Sequence, residues 1–325
     1  MTKLQEMLEQ IQKKHIYIQT HNSPDPDAIS TAFGVKKILE HYGIVSTICY
    51  QGKIDRYNTR KLIESLGIEL EELKDEESLE GEMVILVDAQ RGNTNITDSN
   101  ATQLICMDHH PLNPDYARVG YHFSDIRPEY GACATIIAEY FYENGIAMDR
   151  ETATALSYGI RCDTDRLSRG TIKADVEMLY RMYDRADYEL IRMLENRELC
   201  LEDLFAYTRA IENIQLMDKV SFANAGRNCP EALVASIADF MLALVEVEFS
   251  IVYSIQDSGI KLSVRSEGQI DAGIVISKSL EGIGGGGGHS AMAGGFVPCK
   301  DIDVTVEEMT RLIQEKILKE IKAYQ

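Results

Sequence analysis

Four short apolar runs, at 15–20, 45–50, 83–87 and 103–107, are separated by long stretches rather than tight turns. Runs this short and this continuously apolar are strands buried on both faces. Strands joined by crossovers of a dozen or more residues pair in parallel. Apolar residues at helical spacing predict helices over 3–13, 27–42 and 55–66 between them. The alternation predicts an α/β fold: a parallel sheet with helices on both faces. Further helices are expected at 132–144, 149–161, 172–184 and from 188 to about 217. Near 218 the pattern changes. A strand at 219–225, a helix at 231–244 and two alternating segments around Ser258-Gly259 predict a second, smaller α/β domain with a hairpin. A length of 325 residues exceeds what one core normally serves. The expected organisation is a first domain over 1–187, a helical connector over 188–217 and a second domain over 218–325.

Three of the strand-length runs end in polar clusters. The first leads into His21, Asp25 and Asp27, the third into Asp88, and the fourth into Asp108, His109 and His110. In open parallel sheets ligands bind beyond the carboxyl ends of the strands, so these side chains should converge. Converging carboxylates repel and cannot all ionise without a counter-charge. No Lys or Arg lies within the first or third cluster, and Arg91 is the nearest in the second. Divalent cations supply that charge economically. Mixed Asp and His donors favour Mn, Fe, Co or Zn over Ca, and the number of donors suits two ions. Taken singly, each Asp is better explained as a helix cap or turn residue, Asp27 included. The argument comes from three such clusters at three strand ends.

Composition narrows the partners. Asp and Glu number 52 against 33 Lys and Arg, a formal charge of −19, which disfavours long duplex nucleic acid. No apolar run is long enough to span a bilayer. Seven cysteines without a CxxC pair suit a reducing, cytoplasmic setting.

The segments HNSPDPDA (21–28), VDAQ (87–90), MDHHP (107–111) and GIRCDT (159–164), in that order, resemble the four motifs of the DHH phosphoesterase family. GGGGHSAMAGG (285–295) resembles the signature of the DHH-associated domain that follows it in that family. The resemblance covers nearly the whole chain. It implies that His21, Asp25 and Asp88 bind one metal, and that Asp27, Asp88, His109 and Asp163 bind the other, with Asp88 shared. It implies that His110 faces the substrate phosphate, that Asp108 orients a histidine, and that the usual metal is Mn²⁺. It implies catalysis by Asp88, Asp108, His109 and His110 through water activated by two metals. In the second domain Arg265, Gly285, Gly286, Gly287, Gly288 and His289 would hold substrate, the glycines as a phosphate cradle rather than a linker. The implied activity is that of a manganese-dependent hydrolase acting on very short oligoribonucleotides or 3′-phosphoadenosine 5′-phosphate (pAp), with the substrate engaging both domains. Cyclic dinucleotide hydrolysis and non-catalytic nucleotide binding are the alternatives, and a homodimer is the working expectation for assembly. The sequence departs from the family at Pro26 and Asp165, where glycine is usual.

Overall fold

The computed structural model describes residues 1–325 except 75–78, 94, 99, 102, 113–119, 197–198, 299–304 and 325, so Cys299 lies outside the described residues. The chain forms two compact units, Met1–Glu198 and Leu199–Gln325. The stretch 188–217 is divided between them.

The first unit contains, in order, α1 (Lys3–Glu9), β1 (His15–Gln19), α2 (Pro26–His41), β2 (Val45–Tyr50), α3 (Tyr57–Leu66), β3 (Glu71–Glu72), β4 (Met83–Val87), β5 (Gln103–Asp108), β6 (Phe123–Ile126), α4 (Cys133–Glu143), α5 (Arg150–Asp163), α6 (Lys173–Met182) and α7 (Tyr188–Asn196). Its strands form one sheet in the order β3-β2-β1-β4-β5-β6, and every pairing is parallel. Alternate side chains separate two cores, as the period of a strand requires. Ile16, Ile18, Ile48, Met83, Ile85, Val87, Ile105 and Met107 join a cluster with residues from α1 to α7. Cys49, Val84, Leu86, Leu104 and Cys106 join a smaller one with Leu73, Leu79, Ala89, Ile96 and Ala101. The expected helical cover on both faces is therefore present on one. Among the described residues, connecting segments cover the other. The right-handed crossover rule gives the reason. Connections running from β1 to β3 lie on one face, and those running the opposite way from β4 to β6 lie on the other.

The second unit contains α8 (Asp203–Glu212), β7 (Gln215–Met217), β8 (Val220–Arg227), α9 (Glu231–Leu242), β9 (Phe249–Gln256), β10 (Gly259–Ser266), α10 (Ala272–Leu280), β11 (Gly285–Gly288), β12 (Met292–Pro298) and α11 (Val306–Tyr324). The sheet order is β11-β12-β10-β9-β8-β7. Only β8 and β9 pair in parallel, because α9 crosses over between them; the other neighbours are antiparallel. Residues of α10 and α11 fill one side of this sheet, and residues of α8 and α9 the other. Among the described residues, no helix is long and apolar enough to cross a membrane.

Candidate functional site

Strands β1 and β4 are neighbours at the centre of the first sheet, yet the chain leaves them toward opposite edges. Such a switch point opens a crevice beyond the strand ends. His21, Asp25 and Asp27 follow β1, Asp88 follows β4, and Asp108, His109 and His110 close β5. Asp163, the last residue of α5, is brought in by the packing of α5 on α2. Gly159 makes that approach possible, since a Cβ there would stand 2.9 Å from both Asp27 Oδ1 and Ser30 Cβ.

The donor atoms form three overlapping groups: His21, Asp25 and Asp88; Asp27, His109 and Asp163; and Asp88, His109 and His110. His21 Nε2 lies 3.6 Å from Asp88 Oδ2 and 3.9 Å from Asp25 Oδ1. His109 Nε2 lies 3.1 Å from Asp163 Oδ2 and 3.4 Å from Asp88 Oδ1. Asp88 belongs to two groups, is 2% exposed and has φ of 55°. Its Oδ1 is buried without a hydrogen-bond partner. Among the described residues, only the His109 and His110 rings face it, at 3.4 and 3.6 Å. A desolvated carboxylate oxygen so weakly satisfied is costly and is what a cation would satisfy.

Backbone groups orient the donors. His21 Nδ1 lies 2.9 Å from Asn22 O and His109 Nδ1 lies 3.0 Å from Tyr130 O. A carbonyl can only accept, so Nδ1 carries the proton in each ring and Nε2 is the lone-pair nitrogen of the neutral form, facing the site. Both Asp27 oxygens accept from the first turn of α4, at 2.8 Å from Cys133 N and 3.1 Å from Ala134 N. It is Asp25, not Asp27, that caps α2: its Oδ1 accepts from Asp27 N and Ala28 N. Pro26 takes the first helical position, where its fixed φ is favourable and no amide proton is missed.

Asp108 is fully buried and is not itself a member of the three donor groups. Its Oδ1 accepts from His109 N, His110 N and His110 Nδ1, and its Oδ2 from Gln90 Nε2 at 2.7 Å. The same amide group reaches His110 O at 3.0 Å. Gln90 thus ties the end of β4 to the end of β5. The sequence placed it inside the VDAQ segment without assigning it a task, because an amide carries no charge pattern that would single it out.

The electrostatics show how the cluster behaves without cations. Burial, then the charges of Asp88 and Asp163, pushes Asp27 well above the usual carboxylate range, and burial also raises Asp88. Burial opposes protonation of His21, but Asp25 and Asp88 outweigh it and raise the ring to about 9. Burial is likewise outweighed at His109, by Asp163 and Asp88, and at His110, chiefly by Asp108. The carboxylates of the cluster thus shift the imidazoles and Asp27 toward protonation, as expected of donors that converge around positive charge.

The turn after Asp163 runs through three consecutive non-glycine residues with positive φ: Asp165 at 44°, Arg166 at 56° and Leu167 at 73°. The departure from glycine at 165 is accommodated by this left-handed turn. Thr164 Oγ1 pins it, donating to Ile160 O and accepting from Leu167 N.

In the second unit the glycine tract is neither a linker nor a loop. It is the edge strand β11, paired with β12. Ile260, Leu262, Val264, Ala293 and Val297 point toward α10 and α11. By alternation Lys261, Ser263, Arg265, Met292, Gly294 and Phe296 point to the opposite face. A Cβ on Gly286 would press on Ile276 of α10, whereas one on Gly285 or Gly287 would meet nothing within 4 Å. Gly285 and Gly287 therefore open onto the face that carries Arg265. Pairing sets Gly287 opposite Gly294 and Gly294 opposite Ser263, which leaves a floor without side chains beside Phe296 and Arg265. Arg265 is held by Asp239 on α9, with Nε 2.6 Å from Oδ1. His289 follows β11, its N–H donating to Met292 O.

Comparison with known proteins agrees with this division. Residues 15–160 match the family model described as DHH family, N-terminal domain, and residues 218–315 match the DHHA1 domain. An uncharacterised protein of Methanocaldococcus jannaschii is 30% identical over 97% of this chain and 65% of its own length. The cyclic-di-AMP phosphodiesterase PdeA of Listeria monocytogenes is 26% identical over 99% of this chain and 49% of its own. The chain thus spans about half to two thirds of these two relatives. The bifunctional oligoribonuclease and PAP phosphatase NrnA of Thermus thermophilus is 25% identical over 94% of this chain and 90% of its own. An exopolyphosphatase-related protein from Bacteroides fragilis shares the fold, with a TM-score of 0.74 at 14% identity over 99% of this chain and 97% of its own. The four ordered motifs, the strand ends that carry them and the matches of both units place the chain in the DHH family, with a DHHA1 domain as its second unit.

Proposed function

We propose that the protein is a divalent-cation-dependent phosphoesterase whose substrates are short nucleotides: very short oligoribonucleotides, pAp, or both. The observation that carries the reading is Asp88, a buried carboxylate with an unpartnered oxygen among three imidazoles and three further carboxylates. His21, Asp25 and Asp88 would hold one ion. Asp27, Asp88, His109 and Asp163 would hold the other. Ions there supply Lewis acidity to phosphoryl oxygens and acidify water. Mn²⁺ suits the mixed Asp and His donor set. His110, whose Nδ1 is fixed by Asp108, would donate from Nε2 to a phosphoryl oxygen, and Gln90, which bonds Asp108 Oδ2 and His110 O, would lock that arrangement. On the second unit, Arg265, the flat face of Gly285 and Gly287, with Gly286 and Gly288 forming the rest of the strand, and His289 would hold another phosphate or the nucleotide body. Glycines allow a ligand to approach backbone N–H groups closely.

The activities for which the Thermus and Listeria relatives are named support two members of this substrate class, linear and cyclic. The linear reading is preferred because the Thermus relative matches over most of its own length. The full set of proposed metal-binding side chains is present, which weighs against a non-catalytic nucleotide binder. The test is a panel of pAp, diribonucleotides, longer oligoribonucleotides and cyclic dinucleotides assayed with Mn²⁺. Turnover should be highest on pAp or di- and trinucleotides and fall as oligomers lengthen. Activity confined to cyclic dinucleotides would transfer the assignment to the second reading. No hydrolysis product from any of them, neither phosphate from pAp nor mononucleotide or linear dinucleotide from the others, would refute the enzyme.

A further inference from the structure

Five acidic side chains in the first unit are buried in the described structure: Asp27, Asp88, Asp108, Asp125 and Asp175. The first two lie in the donor groups, Asp108 pairs with His110, and Asp125 pairs with Arg127. Asp175, in the first turn of α6, is fully buried and has neither a cationic partner nor a place among the donors, among the described residues. Its Oδ2 accepts from Ile172 N at 2.7 Å and Gly131 N at 3.2 Å, and its Oδ1 from the Thr135 hydroxyl at 2.6 Å. Capping α6 needs only the Ile172 bond. The other two reach across 40 or more residues to a single segment, 130–135.

That segment is the outer support of one donor group. Tyr130 O accepts a hydrogen bond from His109 Nδ1, and Cys133 N and Ala134 N donate to the two Asp27 oxygens. Asp163 is reached through packing. Its neighbour Thr164 is fully buried and lies so close to Gly131 that a Cβ there would stand 2.7 Å from Thr164 Cγ2 and 2.6 Å from Asp175 Oδ2. All three members of the Asp27, His109 and Asp163 group therefore bear on 130–135 or on its contact, and Asp175 clamps that segment at both ends. Among the described residues, nothing comparable links Asp175 to His21 or Asp25.

We infer that Asp175 is a positioning residue for one of the two cation sites: it fixes the 130–135 segment and so sets the affinity of the Asp27, His109 and Asp163 site, leaving the His21, Asp25 and Asp88 site nearly unchanged. This presupposes the two-ion reading above, and the experiment separates the two. The metal-free full-length protein is titrated with Mn²⁺ by calorimetry as wild type, Asp175→Asn and Thr135→Val, with Asp25→Asn marking the other site. Thr135→Val removes one clamp hydroxyl while keeping side-chain shape, so it serves if Asp175→Asn does not fold. Groups that bond a metal ligand directly typically change affinity by about 10–100-fold, and Asp175 acts one layer further out, so the lower end, about tenfold, applies. One of two dissociation constants should therefore rise by roughly that factor in Asp175→Asn, and less in Thr135→Val, while the other moves by less than about threefold. In activity assays the Mn²⁺ concentration for half-activation should rise, with kcat recovered at saturating Mn²⁺. Unchanged affinities in the folded variants would overturn the inference, as would equal weakening of both sites. A wild-type protein that binds no Mn²⁺ would instead overturn the two-ion reading.

Discussion

Replacing Asp88 by Asn tests the metal reading and the electrostatics together. The substitution is nearly isosteric, so it opens no cavity, and Asn tolerates the positive φ of 55° as Asp does. What changes is charge. Burial raises the Asp88 carboxyl above its ordinary value. Its ionised form is therefore less favourable in the folded protein than in the unfolded chain. For a carboxyl raised in this way, stability declines as pH climbs from the ordinary carboxylate range through the raised value, and the full penalty is present above it. Asn carries no such penalty. The substitution also withdraws the charge that helps raise His21, His109 and His110. The two effects oppose, so in the absence of metal Asp88→Asn should melt close to wild type.

With metal the two proteins separate. A single site at a hundred times its dissociation constant stabilises the folded state by about 2.7 kcal/mol. For a unit the size of Met1–Glu198, each kcal/mol shifts Tm by about 2–4 °C. Saturating Mn²⁺ should raise the wild-type Tm by roughly 5–10 °C or more, and that of Asp88→Asn by much less, with phosphoesterase activity abolished. The assay is a pair of thermal scans with chelator and with Mn²⁺. A variant that melts well below wild type in chelator would make Asp88 a structural residue. An equal metal-induced rise in both proteins would show that the ions bind elsewhere.

Arg265→Ala should lower kcat/KM on short substrates by roughly ten- to hundredfold, the value of a charge-assisted bond of about 1.5–3 kcal/mol, with Mn²⁺ stoichiometry intact; unchanged kinetics would remove Arg265 from substrate binding. Asp239 is 54% exposed but Arg265 only 12%, and Arg265 also donates to Ser263 Oγ and Val264 O, so Tm should fall modestly through lost packing and bonds. Gly287→Ala adds a Cβ that meets nothing, so it should leave Tm unchanged and raise KM several-fold, whereas Gly286→Ala, with its Cβ 2.6 Å from Gly294 O, should lower Tm; an unaltered KM in Gly287→Ala would mean that no substrate lies on that face. Asp125 is buried, but Arg127 outweighs the effect of burial and lowers its carboxyl, so its contribution is complete above pH ~4 and vanishes as pH falls through the lowered value. Asp125→Asn should cost about 3 kcal/mol at neutral pH, the lower end for a broken buried pair because Arg127 keeps Glu139; urea unfolding should show that gap closing in acid, and a constant gap would refute the linkage.

The strands of the first sheet were readable where they were continuously apolar. β6 was not, because its four residues, Phe-Ser-Asp-Ile, hold too few apolar positions to show a period, and β3 has only two residues. β11 was hidden for a different reason. Glycine has low strand propensity, and only pairing with β12 makes Gly285–Gly288 extended. The charged members of the site were legible because Asp and His at strand ends stand out against apolar runs. Gln90, the 130–135 segment and Asp175 were not, since their work is done by an amide, by backbone groups and by a carboxylate that reads as an ordinary first-turn residue of α6. Asp25 and Asp27 show the limit of local reading: both suit a helix N-terminus, and only the packing of α4 against α2 decides which one caps and which one is held for another purpose.

Backbone strain points to the same place as the chemistry. Seven non-glycine residues have positive φ among the described residues: Ser23, Asp88, Asp165, Arg166, Leu167, Asp218 and Asn228. The first five lie at a proposed metal-binding residue or within four residues of one, in three separate loops. Such conformations cost of order 1–3 kcal/mol each and persist only where surroundings over-determine them. Here they are over-determined. Ser23 N donates to Gln51 O, Asp88 N extends the sheet by donating to Met107 O, and Arg166 N donates to Arg161 O. These bonds hold Asp88 and the turn after Asp163 so that both carboxylates stand close to His109 Nε2, at 3.4 and 3.1 Å, the convergence that the two-ion reading requires.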